Sequence, residues 1–291
     1  MCQQEADLAE TRSPVREKPL HVPGQTLDVT IARLWDDRGF LYIFMLSTVT
    51  FAATFDWVRT IYDTPPRPWV TTVFAAIVAA FCLRGLLRIR RQTKLLEQGR
   101  DGERAVGEAL DELRADGCRV FHDIMGDGSN VDHVVLSTRG IFVVETKTIS
   151  KPPRGTGSAN VRVEGDRILA GGADLGSGPI IQAKANARWL FGLLKESTGK
   201  TYPVKPCVVF PGWFVERVPK DVARKVWVLS PKGLTSFIRH ERVRVEESDL
   251  HMAAYHLSRY IRSPWAPPNE GFAAKVLAQG RGRRANVRSA D

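Results

Sequence analysis

Two long apolar segments constrain the fold of this chain more than any other feature. Residues 40–58 and residues 69–87 each contain a single charged residue, Asp56 and Arg84 respectively, near the end of the segment. A helix that spans a lipid bilayer needs about 20 mainly apolar residues, with about 17 as the lower limit. The sequence therefore predicts two transmembrane helices. The alternative is a pair of helices buried in the core of a soluble fold.

The connection between the two segments favours a hairpin at a membrane surface. Trp57 and Trp69 flank this connection, and indole rings are enriched at the boundary between lipid and water. Prolines within residues 65–68 end any helix there, because proline lacks the amide donor that a helix interior needs. We therefore expect a two-helix transmembrane hairpin over residues 39–88.

The charge around the second apolar segment sets the expected orientation. A basic cluster closes and follows this segment, against the single acidic residue Glu97, and it consists of Arg84, Arg88, Arg90, Arg91, Lys94 and Arg100. Basic flanks stay in the cytoplasm, so we expect a multi-pass protein of the inner (cytoplasmic) membrane with both termini in the cytoplasm. Residues 1–38 are polar and lack periodicity, which indicates a mobile cytoplasmic tail.

Composition leaves room for a folded domain beside the hairpin. The chain has 291 residues, of which 43% are hydrophobic, and a formal net charge of +10. This charge suits either nucleic acid or an anionic membrane surface. Residues 266–291 are expected to be a basic flexible tail, and its arginines are Arg281, Arg283, Arg284 and Arg288. The four cysteines are scattered without metal-ligand or redox spacing, which argues against a zinc site or a disulfide framework.

Helical and strand patterns alternate after the hairpin. In chain order we expect a helix over 101–115, strands over 118–124, 131–137 and 141–147, a hairpin around Gly165-Asp166, a helix that Pro179 opens, strands over 204–210 and 225–230, and helices near 231–239 and from about 248. The helix after Pro179 is expected to bury Ile181, Ala185, Trp189 and Leu193. This alternation predicts an α/β domain with a mixed sheet. Glu103 borders the apolar stripe of the first helix and is the acid expected to point inward.

Three charged residues fall on strands that are expected to be buried. Asp132 begins one strand, and Glu145 and Lys147 end the next. Because strand side chains alternate between faces, Glu145 and Lys147 share a face. If the loop between the strands is even, Asp132 lies within about 5 Å of that pair. Alternation sends His133 to the opposite face, where a packed histidine is favoured over a general base.

Two carboxylates and an ammonium at one sheet edge have a chemical use. Carboxylate oxygens suit Mg²⁺ or Mn²⁺, and such an ion lowers the pKa of a bound water and neutralises charge on a reacting phosphate. A lysine beside the ion can orient the attacking water or stabilise the developing charge. The alternative is a satisfied ion triad that only joins two strands.

The order of these residues resembles the nuclease-related domain (NERD), a branch of the PD-(D/E)xK nuclease-like fold. The matching pieces lie within residues 99–240, and they are Gly102-Glu103, Asn130 to Val135, Gly140 to Lys147, and Pro179-Ile180-Ile181-Gln182. The neighbour that precedes Asp132 is Val131, whereas the wider superfamily has a proline at this position. That proline is often missing in diverged branches.

The resemblance implies a fold and a set of roles. The fold is a restriction-endonuclease-like mixed sheet flanked by helices over residues 95–265, preceded by the transmembrane hairpin. The implied metal ligands are Glu103, Asp132 and Glu145, the implied catalytic lysine is Lys147, the implied positioning residue is Gln182, and the implied cofactor is Mg²⁺ or Mn²⁺.

The sequence is therefore interpreted as a membrane-tethered, metal-dependent nuclease that acts on DNA or RNA, with DNA as the favoured partner. Lys184 and Arg188 lie along one side of the helix after Pro179 and are candidates for contacts to a phosphate backbone. A solvated helix face is the alternative for these two residues. Two other readings of the chain stay open: a module on the same fold that binds nucleic acid or a partner without turnover, and a membrane scaffold with a structural ion triad.

Overall fold

The computed structural model describes residues 20–62, 68–126, 129–151 and 159–263. Its N-terminal part is built from α1 (Gln25–Leu34), a π-helical turn (Trp35–Gly39), α2 (Phe40–Ile61) and α3 (Pro68–Asp111). The first three follow one another without a break, and α3 runs antiparallel to them. Helix α3 has 44 residues, which corresponds to a length of about 66 Å. It therefore reaches well beyond the thickness of a bilayer, which is about 30 Å in its hydrocarbon core.

The two apolar segments form helices whose side chains are not covered by the protein. Both helices are long and apolar enough to cross a membrane, and 0% and 11% of their apolar windows are buried inside the structure. Large side chains such as Phe44 and Phe51 are 70% and 71% exposed. The alternative of two core helices is therefore not supported, because core helices would be covered by the rest of the fold.

Contacts between α2 and α3 hold the hairpin in register. The hydroxyl of Thr71 donates a hydrogen bond to the carboxylate of Asp56, which provides a partner for the charge within the first apolar segment. At the other end, Gly85 lies under the ring of Tyr42, where a Cβ atom would come within 2.6 Å of the ring. A side chain at residue 85 would therefore push the two helices apart.

Helix α3 joins the apolar hairpin to the folded domain without a linker. The sequence predicts two separate helices here, one ending near residue 88 and one beginning at residue 101, and this is wrong. Residues 88–98 contain no proline or glycine and are rich in arginine, leucine, lysine and glutamine, all of which favour a helix interior. The expected boundary between hairpin and domain, residues 88–95, therefore lies inside one continuous helix.

The polar N-terminal segment is also more ordered than its sequence predicts. Residues 25–34 form α1, which packs on α3 and buries Thr26, Leu27 and Thr30. Asp28 forms ion pairs with Arg100 and Arg104 at 3.2 and 2.7 Å. The expectation of a tail without structure was wrong for these residues because two of the three buried side chains are threonines, which apolar periodicity does not detect. Residues 1–19 of the expected tail and all of the basic tail 266–291 lie outside the described residues.

The folded domain contains nine strands and four further helices within the described residues. After a 3₁₀ turn (Glu112–Asp116) they are β1 (Arg119–Met125), β2 (Asn130–Ser137), β3 (Gly140–Thr146), β4 (Asn160–Glu164), β5 (Arg167–Ala170), β6 (Ala173–Gly176), α4 (Gly178–Thr198), β7 (Val204–Val209), β8 (Phe214–Val215), α5 (Lys220–Lys225), β9 (Trp227–Leu229), α6 (Pro231–His240) and α7 (Glu247–Arg262).

The main sheet is mixed and covered by helices on both faces. Its order is β1-β2-β3-β7-β9, in which β1, β2 and β3 pair antiparallel, and β3, β7 and β9 pair parallel. One face packs against α4 and α7, and the other packs against α3 and α6. Strands β2 and β3 are buried along their whole length. The predicted α/β class with a mixed sheet flanked by helices is confirmed.

A second, smaller sheet with the order β6-β5-β4-β8 packs beside the first. The predicted hairpin around Gly165-Asp166 joins β4 to β5, with Glu164 opposite Arg167. The core of this sheet includes Val161, Ile168, Ile180 and Phe210. The small sheet therefore rests on the first turn of α4 and on the end of β7.

Helix α4 is rotated about its axis from the predicted orientation by about one residue, which corresponds to about 100°. Its buried side chains include Ile180, Ala183, Ala187, Leu190 and Leu194, whereas Ile181 is 61% exposed. The expected stripe through Ile181, Ala185, Trp189 and Leu193 was wrong for Ile181 and Ala185, which are exposed, whereas Trp189 and Leu193 are partly buried against the core. The difference arises because α4 is packed between two cores, one under each sheet. This orientation matters, because it decides which polar residues of α4 meet the main sheet.

Gly102→Ala is expected to lower the free energy of unfolding by about 1–3 kcal/mol, since overpacked sites lose stability in this range. A Cβ atom at residue 102 would lie 1.7 Å from Oγ1 of Thr148. Thermal unfolding of the whole chain in lipid nanodiscs, followed by circular dichroism, measures the effect. The matched control is Gly192→Ala in α4, where nothing lies within 4 Å. That variant should gain about 0.5–1 kcal/mol from helix propensity. Equal melting temperatures for the two variants would contradict the close approach of α3.

Candidate active site

Three of the predicted site residues meet where β2 begins and β3 ends. The hairpin between these strands pairs Ser137 with Gly140 and continues in register to His133 opposite Val144. The next position on each strand is Asp132 and Glu145, which are therefore neighbours across the hairpin. The two-residue loop is even, as the prediction for Asp132 required.

An ion pair fixes Glu145 and Lys147 on one face of the sheet. The Nζ atom of Lys147 lies 2.5 Å from Oε1 of Glu145 and donates a second hydrogen bond to Oε1 of Gln182 at 3.0 Å. Glu145 and Lys147 are both buried. Gln182 lies in the first turns of α4, so this helix helps to position the ammonium group of Lys147 just after the end of β3. The structure thus brings together three of the five residues that the resemblance implies.

Asn186 belongs to the same network and was missed in the sequence. Its Nδ2 atom donates to Oε2 of Glu145 at 3.2 Å, and its Oδ1 atom accepts a hydrogen bond from Ser129 at 2.8 Å. Both carboxylate oxygens of Glu145 are thereby engaged. Asn186 follows Gln182 by four residues, which places the two side chains on one face of α4. This spacing is the signal that points to Asn186.

Asp132 is buried beside Glu145. Its Oδ2 atom accepts a hydrogen bond from the backbone amide of Thr146 at 2.6 Å, which fixes the carboxylate against the next strand. Burial raises the pKa of Asp132 well above its ordinary value, and the negative charge of Glu145 raises it further. The carboxylate of Asp132 is therefore held where negative charge is unfavourable.

Helix α3 brings Glu103 to the same group of acids. Gly102 lets the helix approach Thr148, two residues after the end of β3, so closely that any side chain at position 102 would clash with it. Burial raises the pKa of Glu103 well above its ordinary value, as do the charges of Asp132 and Asp123. The expectation that Glu103 is the inward-pointing acid of this helix agrees with its place in the structure.

Asp123 is a fourth acid that the sequence interpretation left out. It lies on β1, between His122, which pairs with His133, and Ile124, which pairs with Val131. This register places Asp123 opposite Asp132. Asp123 is 1% exposed and has a φ angle of +53°, a backbone conformation that is uncommon for residues other than glycine. The sequence feature that could have identified Asp123 is an acidic residue within a predicted strand, 118–124, two strands before the one that contains Glu145.

His133 lies on the other face of β2, as alternation predicts. Its Nδ1 atom is 2.9 Å from Nδ1 of His122, and its side chain is completely buried. Burial lowers the pKa of His133 well below its ordinary value. A neutral, packed histidine is the result, which agrees with the reading favoured in the sequence.

Lys184 and Arg188 are not brought into this site. Each follows a site residue of α4 by two positions, and two residues correspond to about 200° around a helix. Lys184 lies 3.4 Å from Asp166 of the small sheet, and Arg188 is exposed. A role for these residues in contacts to nucleic acid stays a prediction.

A cleft of about 500 Å³ opens beside Gly102 of α3. Its lining includes Thr148 and Gly212, Gln98 and Lys94 one and two turns earlier on α3, and the acids Glu97 and Asp101. Gly102 and Thr148 adjoin Glu103 and Lys147 in the chain, but these two site residues do not line the cleft.

The donor set fits a hard divalent cation in its chemistry. Glu103, Asp132 and Glu145 supply carboxylate oxygens. Burial raises the pKa values of Glu103 and Asp132, and the negative charges of neighbouring acids raise them further. A cation would relieve that repulsion. Within the part of the chain that the structure describes, no three His, Cys, Asp or Glu side chains are already gathered around one metal position. Binding would therefore need side-chain rotation.

Comparison with known proteins agrees with the order of these residues. Residues 98–211 match a family model described as the nuclease-related domain, which confirms the resemblance over that part of the chain. Comparison with curated proteins gives no match. Among solved structures, SfsA of Pyrococcus furiosus in complex with Ca²⁺ is similar at 18% identity with a TM-score of 0.21, over 55% of this chain and 53% of that one. This chain thus spans about half the length of that protein.

Asp132→Asn is expected to stabilise the folded chain, by an amount that grows as the pH rises. A buried carboxyl with a raised pKa keeps its proton in the folded state at pH values where the unfolded chain has lost it. Folding stability therefore falls as the pH rises through this window. The variant removes that loss and should gain about 1–3 kcal/mol at pH 8, which is the range for poorly compensated buried polar groups. The gain should vanish below the ordinary pKa of 3.8.

Urea unfolding between pH 4.5 and 8 in the presence of chelator measures this gain. Glu196→Gln, which changes an exposed acid of α4, is the matched control and should show no pH-dependent gain. If Asp132→Asn were equally destabilising at every pH, the carboxylate would be a satisfied structural group instead.

Proposed function

This chain carries a nuclease-related domain over residues 98–211, and from that premise we propose that it is a membrane-tethered, metal-dependent nuclease that hydrolyses phosphodiester bonds of nucleic acid. The observation that carries the proposal is the contact of Lys147 with Glu145 and Gln182, directly beside the carboxylates of Asp132 and Glu103. Structural ion pairs do not need two further buried acids, because each buried acid adds repulsion that folding must overcome.

Glu103, Asp132 and Glu145 are the residues that would hold Mg²⁺ or Mn²⁺. Such an ion, when bound, supplies a water of lowered pKa and neutralises charge on the phosphate. The protein contributes donors that the strands and α3 already place close to one another. Thr146 holds Asp132 through its backbone amide, and Asn186 holds the second oxygen of Glu145.

Lys147 would stabilise the negative charge that develops on the phosphate. Its ammonium group is held by Glu145 and Gln182, so it needs little reorganisation when charge develops nearby. Because Lys147 is buried, few water molecules screen its charge. Gln182 acts as a positioning residue, since its carbonyl oxygen directs one of the three Nζ protons and leaves another for the substrate.

The two apolar helices would tether this site to the cytoplasmic face of a membrane. Helix α3 continues from the second apolar segment into the domain, and it carries Arg88, Arg90 and Arg91 just beyond that segment. Basic residues at this position favour the cytoplasmic side and anionic lipid headgroups. The substrate would then be nucleic acid, DNA in our proposal, that reaches the inner face of the membrane.

One observation favours a second candidate function. The carboxylates are neighbours, but those in the described residues are not gathered around a metal position. A module that binds nucleic acid without cleaving it would need no such gathering. Its binding would be independent of metal and would weaken steeply with salt, because contacts to phosphates release counterions. Lys184 and Arg188 of α4 are candidates for such contacts.

Lys147→Ala is expected to reduce cleavage by about 10²–10³-fold, the effect of removing one preorganised group that stabilises developing charge. The assay uses the whole chain in nanodiscs, because α1 precedes the hairpin and packs against the domain. Labelled single- and double-stranded DNA and RNA are incubated with Mg²⁺, with Mn²⁺ and with chelator. Lys200→Ala is the control, since Lys200 pairs with Asp249 outside the site.

Metal-dependent cleavage that is lost in Lys147→Ala and kept in Lys200→Ala supports the nuclease. Equal cleavage by both variants would contradict the assigned site. If the wild-type chain only binds, without metal and with a steep dependence on salt, the non-catalytic module replaces the nuclease.

A further inference from the structure

The segment before the first apolar helix docks closely against the site. We call residues 20–34 the arm. Pro23 packs at Gly107 of α3, where a Cβ atom would lie 2.5 Å from its ring, and Gly24 packs against Arg100. Gly24 has a φ angle of +74°, which turns the chain into α1. The arm is therefore fitted to the same helix that carries Glu103.

Thr26 of the arm contacts the carboxylate of Asp123. The backbone amide of Thr26 donates to Oδ2 of Asp123 at 2.5 Å, and the hydroxyl of Thr26 donates to Oδ1 at 2.7 Å. The side chain of Asn130 donates a third hydrogen bond to Oδ1. Thr26 and Asp123 are 2% and 1% exposed, so water does not compete for these contacts.

The backbone of Asp123 is also held from the arm. Its carbonyl oxygen lies 2.7 Å from Nδ1 of His21. The left-handed conformation of Asp123 interrupts the pairing of β1 with β2 at this residue. Such a conformation is costly outside glycine and persists only where the surroundings fix it. The contacts from His21, Thr26 and Asn130 supply that fixation.

We propose that Asp123 is a positioning residue of the cation site and that Thr26 of the arm holds it there, which extends the proposed nuclease function and rests on it. Three donors hold the two oxygens of Asp123, whereas each oxygen of Glu145 has one donor within the described residues, so Asp123 is assigned a role through its charge and not as a ligand of the cation. Its fixed negative charge lies beside Glu103 and Asp132 and raises the attraction of the site for a cation. Removing the Thr26 hydroxyl takes away one of the three donors and loosens the hold on the carboxylate.

The electrostatics of the neighbouring acids support this assignment. The charge of Asp123 contributes to the raised pKa of Glu103, after burial and Asp132, and to that of Asp132. The charge of Asp123 therefore acts on two of the three proposed ligands, Glu103 and Asp132.

The arm also joins the membrane hairpin to the site. Helix α1 continues through the π-helical turn Trp35–Gly39 into α2, the first apolar helix. The site is in this way clamped between two helices that lead to the membrane, α1 and α3.

The test compares Thr26→Val with Thr30→Val in the whole chain in nanodiscs. Thr30 is equally buried in α1, but its hydroxyl donates to the backbone oxygen of Thr26 and does not reach the domain. Thr26→Ser keeps the hydroxyl and should restore wild-type behaviour. Three quantities are measured: binding of Mn²⁺ by electron paramagnetic resonance, the Mg²⁺ concentration for half-maximal cleavage, and amide hydrogen exchange of residues 119–125.

Thr26→Val should weaken Mn²⁺ binding and raise the required Mg²⁺ concentration by about 10–100-fold, the range for groups that position metal ligands. It should also speed exchange in residues 119–125, whereas Thr30→Val and Thr26→Ser should match the wild type. Equal values for Thr26→Val and the wild type in all three measurements would overturn the proposal, as would equal effects of both valine variants.

Failure of the nuclease proposal is distinguishable from failure of this one. If the wild-type chain neither binds Mn²⁺ nor cleaves, the proposed function is lost, and hydrogen exchange alone decides the role of Thr26. Faster exchange in Thr26→Val only would support the positioning of Asp123 by the arm, and unchanged exchange would overturn it.

Discussion

Repulsion among buried carboxylates is the constraint on which the rest of this structure depends. Asp123, Asp132 and Glu145 are all less than 10% exposed, and Glu103 joins them from α3. Each acid needs a separate partner to stay in place. Strand β3 supplies the amide of Thr146, the next residue is Lys147, and α4 supplies Asn186 and Gln182. The arm supplies Thr26. The fold is thus arranged around a concentration of negative charge.

The same constraint explains why the hairpin and the domain form one unit. The arm directly precedes the first apolar helix, and α3 contains the second apolar segment. The arm contacts Asp123 and α3 carries Glu103, so both connections between the hairpin and the domain contain a residue at the group of acids. Asp28 and its ion pairs with Arg100 and Arg104 tie the arm to α3 midway. A fragment that begins after the hairpin would lose α1 and with it the partner of Asp123. The whole chain is therefore the appropriate material for functional work.

The sequence predicted those parts of the site that depend on short-range patterns. The period of two along β2 and β3 and the even loop between them placed Asp132 beside Glu145 and Lys147. Gln182 and the role of Glu103 came from the resemblance to nuclease-related domains. Asp123 was missed because its partner Thr26 is 97 residues away, and α1 was missed because threonines make up much of its buried face. The stripe of α4 was displaced because two cores, not one, pack against that helix.

The central claim is that Glu103, Asp132 and Glu145 form a divalent cation site beside Lys147. Anomalous diffraction at the manganese edge, from crystals of the whole chain grown in lipid with Mn²⁺, locates the ion without reference to activity. The account predicts one peak among the three carboxylates, with the Lys147–Glu145 pair adjusted around it. A Mn²⁺ peak elsewhere, or carboxylates that stay in place with no peak between them, would contradict the account and favour a structural role for these charges.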